Sequence, residues 1–326
     1  MTEQKILYLS QADVISVNLA MAEVIDLVEK AFNEKGHGRV EMPPKPGIHP
    51  GEGDNFIHAM PAYIPALNSA GIKWVSGFPG NQKKGLPYIT GLLILNDPET
   101  GIPLAVMDCE WITAMRTAAA SAVSARKLAR PESSTLGVLG CGVQGFTNTE
   151  ALNVDFPITE IFAYDLSEKS LKLYIEKVEK LGLKVTVVDT PQEAVQGRDL
   201  VVTAGPILKK PHKTIKAGWL EKGAFATLID FDSYFAPEAL KEADKFCTDD
   251  HNQYKYYQSA GYFQNTPPVY ADLGELVAGK KVGRESDDER NIACNLGLAI
   301  DDMAVAPTLY KRAVKMGVGT WLWHRR

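Results

Sequence analysis

The chain has 326 residues, of which 45% are hydrophobic and 23% charged, close to the average of soluble globular proteins; this excludes a disordered, collagen-like or disulfide-stapled chain. The length suits two domains of ordinary size or one large one. A net charge of −5 without a long Lys/Arg block gives no electrostatic footprint for nucleic acid. The longest apolar runs, such as Gly91 to Leu95 and Pro103 to Met107, fall far short of the ~18 residues that cross a bilayer, so no membrane partner is expected. Met1 to Ser10 shows no secretory signal, which predicts a cytoplasmic protein. Cys109, Cys141, Cys247 and Cys294 stand far apart, with no C-x-x-C pair and no His at ligand spacing, so neither a disulfide nor a metal site is expected.

In chain order, residues 13–35 place apolar side chains at helical spacing and predict one amphipathic helix. Met42 to Gly53 reads as irregular, because Pro43, Pro44 and Pro46 remove donors and fix φ. Gly71 to Phe78, Tyr88 to Leu95 and Ile102 to Met107 are β-like, the last two joined by the turn residues Asn96 to Gly101, so this part reads as antiparallel. An Ala-rich helix is expected from Thr113 to about Ala129. Beyond Pro131 strands alternate with helices: Thr135 to Leu139, a helix after Gly145, Glu160 to Tyr164, a helix from Ser167 to Leu181, Lys184 to Val188, and Asp199 to Ala204. That alternation predicts βαβ units and a parallel sheet. Asn291 to Lys315 reads as a C-terminal helical pattern that could return to the first domain.

Directly after the predicted strand Thr135 to Leu139 stands Gly140-Cys-Gly142-Val-Gln-Gly145. The first glycine permits a tight turn, the second lets backbone approach a pyrophosphate, and the third lets helix and strand pack closely, with phosphate on the helix N-terminus. The next strand ends in Asp165, twenty residues beyond Gly145, where a carboxylate can bind an adenosine ribose. Asp165 would bond the 2′-hydroxyl of NAD and repel the 2′-phosphate of NADP, so NAD is the expected cofactor.

Several charges stand in apolar surroundings. With Thr113 as N-cap, Arg116 would fall in the first turn of the Ala-rich helix, opposing the macrodipole. It therefore calls for an anion, either a ligand carboxylate or phosphate, or an intramolecular acid such as Asp108 or Glu110. Lys73 lies inside an otherwise apolar strand, where lysine usually points to water. Lys45 in the Pro-rich segment reads as a surface residue on its own, and His58 could bind an acid or pass a proton. Asp232 follows the apolar run Ala224 to Ile229, at the end of a parallel strand where open α/β sheets bind ligands; its neighbour Asp230 is the alternative.

These residues assemble into a pattern: Lys73-Trp-Val-Ser-Gly-Phe-Pro-Gly-Asn81, Arg116-Thr-Ala-Ala-Ala120, Gly140-Cys-Gly-Val-Gln144 and Gly297-Leu-Ala-Ile-Asp-Asp302. Over nearly its whole length the chain resembles the ornithine cyclodeaminase/μ-crystallin family. The resemblance implies an α/β fold: a Rossmann-type doubly wound parallel sheet (residues 119–297) plus a largely antiparallel α+β substrate-binding and dimerisation domain (1–118 with 298–326), in a homodimer. It implies NAD as cofactor and an amino or imino acid as substrate. Lys45, His58, Lys73 and Arg116 are then substrate ligands, with Lys73 and Asp232 catalytic. Arg116, Thr117, Gly140, Gly142, Val143, Gln144, Gly145, Asp165, Thr203, Asp230 and Asn295 are then cofactor contacts.

Where cyclodeaminases have Glu-Leu-Met-Pro, this chain has His58-Ala-Met-Pro61, and where they have Gly-Gly-Asp or Gly-Ala-Asp it reads Asp230-Phe-Asp232. The carboxylates that would hold a second amino group are rearranged. The leading expectation is an NAD(H)-dependent oxidoreductase acting at the α-carbon of a small amino acid or its imine. An ornithine cyclodeaminase-type ammonia lyase with recycled NAD and a μ-crystallin-like binding protein are the alternatives.

Overall fold

In the computed structural model, which describes residues 3–51 and 54–325, the chain divides into two units, Met1–Arg116 with Leu298–Arg326, and Thr117–Gly297. The first contains β1 (Gln4–Leu9), α1 (Gln11–Ser16), α2 (Met21–Gly36), β2 (Gly47–Ile48), β3 (Phe56–Ile64), β4 (Ser69–Gly77), β5 (Ile89–Asn96) and β6 (Pro103–Asp108). The division falls within α3 (Glu110–Leu128). The second unit contains β7 (Thr135–Leu139), α4 (Val143–Asp155), β8 (Glu160–Tyr164), α5 (Glu168–Glu179), β9 (Val185–Val187), α6 (Pro191–Val195), β10 (Leu200–Thr203) and β11 (Phe225–Leu228). It continues through α7 (Pro237–Leu240), β12 (Lys245–Thr248), α8 (His251–Ser259), β13 (Ala271–Asp272), α9 (Leu273–Val277) and β14 (Asn291–Cys294). The chain then re-enters the first unit as α10 (Ala299–Met316) and β15 (Thr320–Arg325).

The first unit is built on a seven-stranded sheet in the order β15-β1-β6-β5-β4-β3-β2, antiparallel except for the β1–β6 pair. Successive side chains point to opposite faces, so Lys73 and Val75 share one face with Leu93 while Trp74 and Leu92 share the other. α10 packs across β3 and β4 and against α2. The β5–β6 hairpin forms as its turn chemistry predicts: Asp97 Oδ1 accepts from the Glu99 and Thr100 amides, and Gly101 takes φ 72°.

Four local expectations are corrected. The helix expected over residues 13–35 is two helices, because Asn18 adopts φ 51° between α1 and α2, a left-handed conformation Asn tolerates. The Pro-rich segment is not wholly irregular: β2 pairs with β3 at Gly47–His58 and Ile48–Ile57, while Glu52 and Gly53 lie outside the described residues. The Ala-rich helix starts at Glu110, whose amide is capped by Asp108 Oδ1 at 3.0 Å, so Thr113 is interior and Arg116 sits in the second turn. Asn291 to Lys315 is not one helix; its first residues form β14, between β11 and β12 in the sheet, and Gly297 at φ 76° precedes α10. A four-residue apolar run does not distinguish strand from buried helix by periodicity.

The second unit is an eight-stranded, wholly parallel sheet in the order β13-β12-β14-β11-β10-β7-β8-β9. β10, β11, β12 and β14 are buried along their entire length, Lys245 and Asn291 included, as strands of a parallel sheet are. Strand order reverses between β7 and β10, the switch point at which such sheets bind ligands. No helix among the described residues is long and apolar enough to cross a membrane.

At Gly137 in β7, a Cβ would lie 1.9 Å from the Ala194 carbonyl oxygen of α6. Gly137→Ala is therefore expected to cost about 1–3 kcal/mol of stability as an overpacked core site. A urea midpoint equal to the parent's would show that α6 does not approach β7 this closely.

Candidate active site

Lys73 stands in the middle of β4 with its side chain fully buried. Its Nζ donates to Asp302 Oδ1 at 2.6 Å and to Thr113 Oγ1 at 3.2 Å. Arg116, nearly as buried, donates from Nη1 to Asp301 Oδ2 at 3.2 Å and brings Nε within 3.2 Å of Asp302 Oδ1. Both acids lie in the first turn of α10, where the macrodipole favours negative charge, and Asp301 Oδ2 also accepts the Leu298 amide at 3.0 Å. Burial pushes the Asp301 carboxyl up to about 6 against the pull of Arg116. Burial, then the nearby Arg116 charge, pushes the Lys73 ammonium down against the pull of Asp302. Asp301 Oδ1 and Asp302 Oδ2 are buried without a hydrogen-bond partner among the described residues. Arg116 does meet intramolecular acids, Asp301 and Asp302 and not Asp108 or Glu110. Lys73 is a core residue and not an edge lysine facing water.

His58 shares a face of the sheet with Lys73, opposite Val75 on β4. Its ring lies over Gly47, where a Cβ would come within 2.3 Å of Cδ2, and stacks on Phe56 at 4.4 Å. Burial, reinforced by the charge of Lys45, lowers its pKa to about 3, so the ring is neutral at physiological pH. Lys45 is itself buried, contrary to its reading as a surface lysine.

In the second unit the candidate residues gather at the carboxyl ends of the parallel strands. Gly140 has φ 95°, and a Cβ there would fall 2.6 Å from Ala204 O; a Cβ on Gly145 would fall 2.1 Å from Gly140 O. At Gly142, the N-cap of α4, a Cβ would meet nothing within 4 Å. Gly142 and Val143 are exposed, so the loop presents open backbone at a helix N-terminus, which fits a bound pyrophosphate. Gln144 is half-buried beside them. Asp165 directly follows β8, one residue beyond the strand end at Tyr164, with Oδ2 accepting the Cys141 amide at 2.7 Å and Oδ1 the Ser167 amide at 2.8 Å. The Cys141 thiol is pushed up to about 12 by burial and is no nucleophile.

Asp230, fully buried, accepts from Thr203 Oγ1 at 2.6 Å and from the Gly205 amide at 3.0 Å; burial raises its carboxyl to about 7. Asp232 follows Phe231, which takes φ 62°. Burial raises its carboxyl too, and its buried Oδ1 has no hydrogen-bond partner among the described residues. Asn295 is held by Ser124 at 3.2 Å, and the Thr117 carbonyl accepts from Ser121. His251, Asp272 and Glu275 cluster at metal-like spacing, yet Asp272 and Glu275 form the capping box of α9, with His251 hydrogen-bonded to Glu275.

Sequence reasoning carried Asp301 and Asp302 only inside a family motif, without a role, and read Thr113 only as a helix N-cap. The available signal was a pair of adjacent acids in an otherwise apolar stretch, two positions that lysine or arginine must match if buried.

Removing one partner from a buried pair leaves an uncompensated charge. Asp302→Ala is therefore expected to destabilise the fold by about 3–5 kcal/mol in urea denaturation; a cost under about 1 kcal/mol would show that Lys73 is neutral or finds water. For His58 the sign is opposite to that of a salt-bridged histidine. Below pH 6.5 the unfolded chain takes up a proton that the folded ring refuses until about pH 3, so stability is lost as pH falls through that window. His58→Gln should make the melting temperature less pH-dependent between these limits, and an unchanged slope would contradict the neutral, buried ring.

The model of the ornithine cyclodeaminase/mu-crystallin family matches residues 5–317. Alanine dehydrogenase of Archaeoglobus fulgidus is 40% identical over 324 residues, 96% of this chain and 97% of that protein. Among solved structures, Thermococcus litoralis Δ1-pyrroline-2-carboxylate reductase in complex with NADH and L-proline superposes with a TM-score of 0.87 at 33% identity, covering 97% of this chain and 99% of that one. An archaeal alanine dehydrogenase dimer with bound NAD also gives 0.87, at 37% identity, covering 99% and 100%.

Proposed function

The chain belongs to the ornithine cyclodeaminase/mu-crystallin family, and from that membership we propose that it is an NAD(H)-dependent oxidoreductase acting at the α-carbon of a small amino acid or its imine. One observation carries the reading: a chain with a phosphate loop and ribose acid in its second unit keeps two buried cations, Lys73 and Arg116, oriented by Asp301 and Asp302 in its first. Two of its relatives, an alanine dehydrogenase and a Δ1-pyrroline-2-carboxylate reductase, support the reading.

In this reading Lys73 and the planar fork of Arg116 bind the substrate carboxylate, with Lys45 and His58 lining the same side. The neutral His58 provides no counter-charge for a second ammonium, which disfavours diamino acids and the lyase alternative. Asp232, with one unpartnered oxygen, takes the proton of the substrate ammonium. Asp230 is instead spent on Thr203 and Gly205 and acts on the cofactor by fixing the loop after β10. Gly140, Gly142, Val143, Gln144 and Gly145 hold the pyrophosphate, with Arg116, Thr117 and Asn295 as further contacts, and Asp165 takes the ribose 2′-hydroxyl, selecting NAD over NADP. Bound NAD supplies the hydride acceptor, and NADH the donor. The outward sheet face, with Tyr8, Trp74, Leu92 and Ile94 exposed, supplies a homodimer interface, and the protein works in the cytoplasm.

Nicotinamide absorbance followed with L-alanine, L-proline and ornithine, each with NAD, tests this. Net NADH formation with a small amino acid is expected, and Arg116→Lys should lower kcat/KM by about 100-fold, or ~2.7 kcal/mol. Proline and ammonia from ornithine without net NADH would overturn the oxidoreductase reading in favour of the lyase.

A further inference from the structure

The turn that follows β11 carries an aromatic side chain to which nothing above assigns a role. Tyr234 packs on Gly205 so closely that a Cβ there would fall 2.3 Å from its Cε2 and 2.8 Å from its hydroxyl oxygen. Gly205 in turn touches the first glycine of the phosphate loop, since a Cβ on Gly140 would lie 3.1 Å from the Gly205 nitrogen. The phenol is therefore placed at the switch point, beside the loop that holds phosphate. Its position is fixed from several sides. The Tyr234 carbonyl accepts the Ile215 amide at 2.8 Å, the Ser233 hydroxyl accepts the Leu208 amide at 2.9 Å, and Asp230 anchors Gly205.

We propose that Tyr234 is a cofactor-binding residue, its phenol donating a hydrogen bond to the pyrophosphate of the dinucleotide seated on Gly140–Gly145. This rests on the NAD(H) reading above. The ring is half-buried, and its hydroxyl makes no hydrogen bond to any described residue. Burial, then the carboxylates of Asp230 and Asp165, pushes the phenol up to about 12, so it keeps its proton and can donate it to an acceptor oxygen. A neutral donor that is already oriented suits a phosphate oxygen: it adds no charge beside Asp165, and a donor held in place before binding gives up little entropy. Gly205 is required at its position because any side chain would displace the ring from the loop.

The test compares the parent protein with Tyr234→Phe, which keeps the ring and removes the donor. NADH affinity is read by fluorescence titration, with ADP and adenosine as competitors. Tyr234→Phe is expected to bind NADH and ADP about tenfold more weakly, the effect of losing a hydrogen bond to a charged group, with adenosine affinity and melting temperature unchanged. Equal NADH affinity in parent and variant overturns the proposal. A proportionate loss for adenosine also overturns it, by showing that the ring's packing and not its hydroxyl matters. A parent protein that binds no NADH would instead sink the dinucleotide reading itself.

Discussion

Two cations in an apolar interior need two anions, and the first unit is arranged around meeting that demand. Lys73 leaves β4 toward the side on which α10 packs, Arg116 leaves the second turn of α3, and both end on the acids in the first turn of α10. Three elements far apart in sequence are thereby tied at one point. A well-packed apolar quartet would stabilise a fold at least as well, because desolvating charges offsets much of their attraction. The arrangement is better suited to orientation: it holds an ammonium and a guanidinium at fixed positions, which is what binding a carboxylate in one pose requires.

The second unit solves a different problem, bringing backbone close to a polyanion. Its strands end together at the switch point, and the close approaches that need glycine run from Gly145 to Gly140 and from Gly140 to the Ala204–Gly205 loop. Asp230 completes this by taking both the Thr203 hydroxyl and the Gly205 amide. The two acids after β11 are thus differentiated by their surroundings: one is satisfied and structural, the other keeps a buried oxygen unpartnered. The same residue type two positions apart meets two different surroundings, with Phe231 at positive φ between them.

His58 shows how context sets the chemistry of a side chain. A solvated imidazole titrates near neutrality, but burial and the charges of Lys45 and Lys73 hold this one neutral.

The sequence by itself determined what depends on short-range pattern. The phosphate loop, Asp165, the β5–β6 hairpin, the alternation of strand and helix, and the family motifs at Lys73, Arg116, Gly140 and Gly297 were all legible, because each is encoded within a few residues of one element. Only the tertiary structure decided the partners of those residues. That Arg116 would find Asp301, 185 residues away, and not Glu110, that Thr113 would accept from Lys73, 40 residues away, and not cap its helix, and that Asn291 to Cys294 would be a central strand all depend on separate segments coming together. Burial of Lys73 and Lys45, the neutral state of His58, and the division of labour between Asp230 and Asp232 follow from the dielectric surroundings the folded chain creates. Local sequence carries no record of those surroundings, since charge, solvent exposure and hydrogen-bond supply are properties of the assembled core.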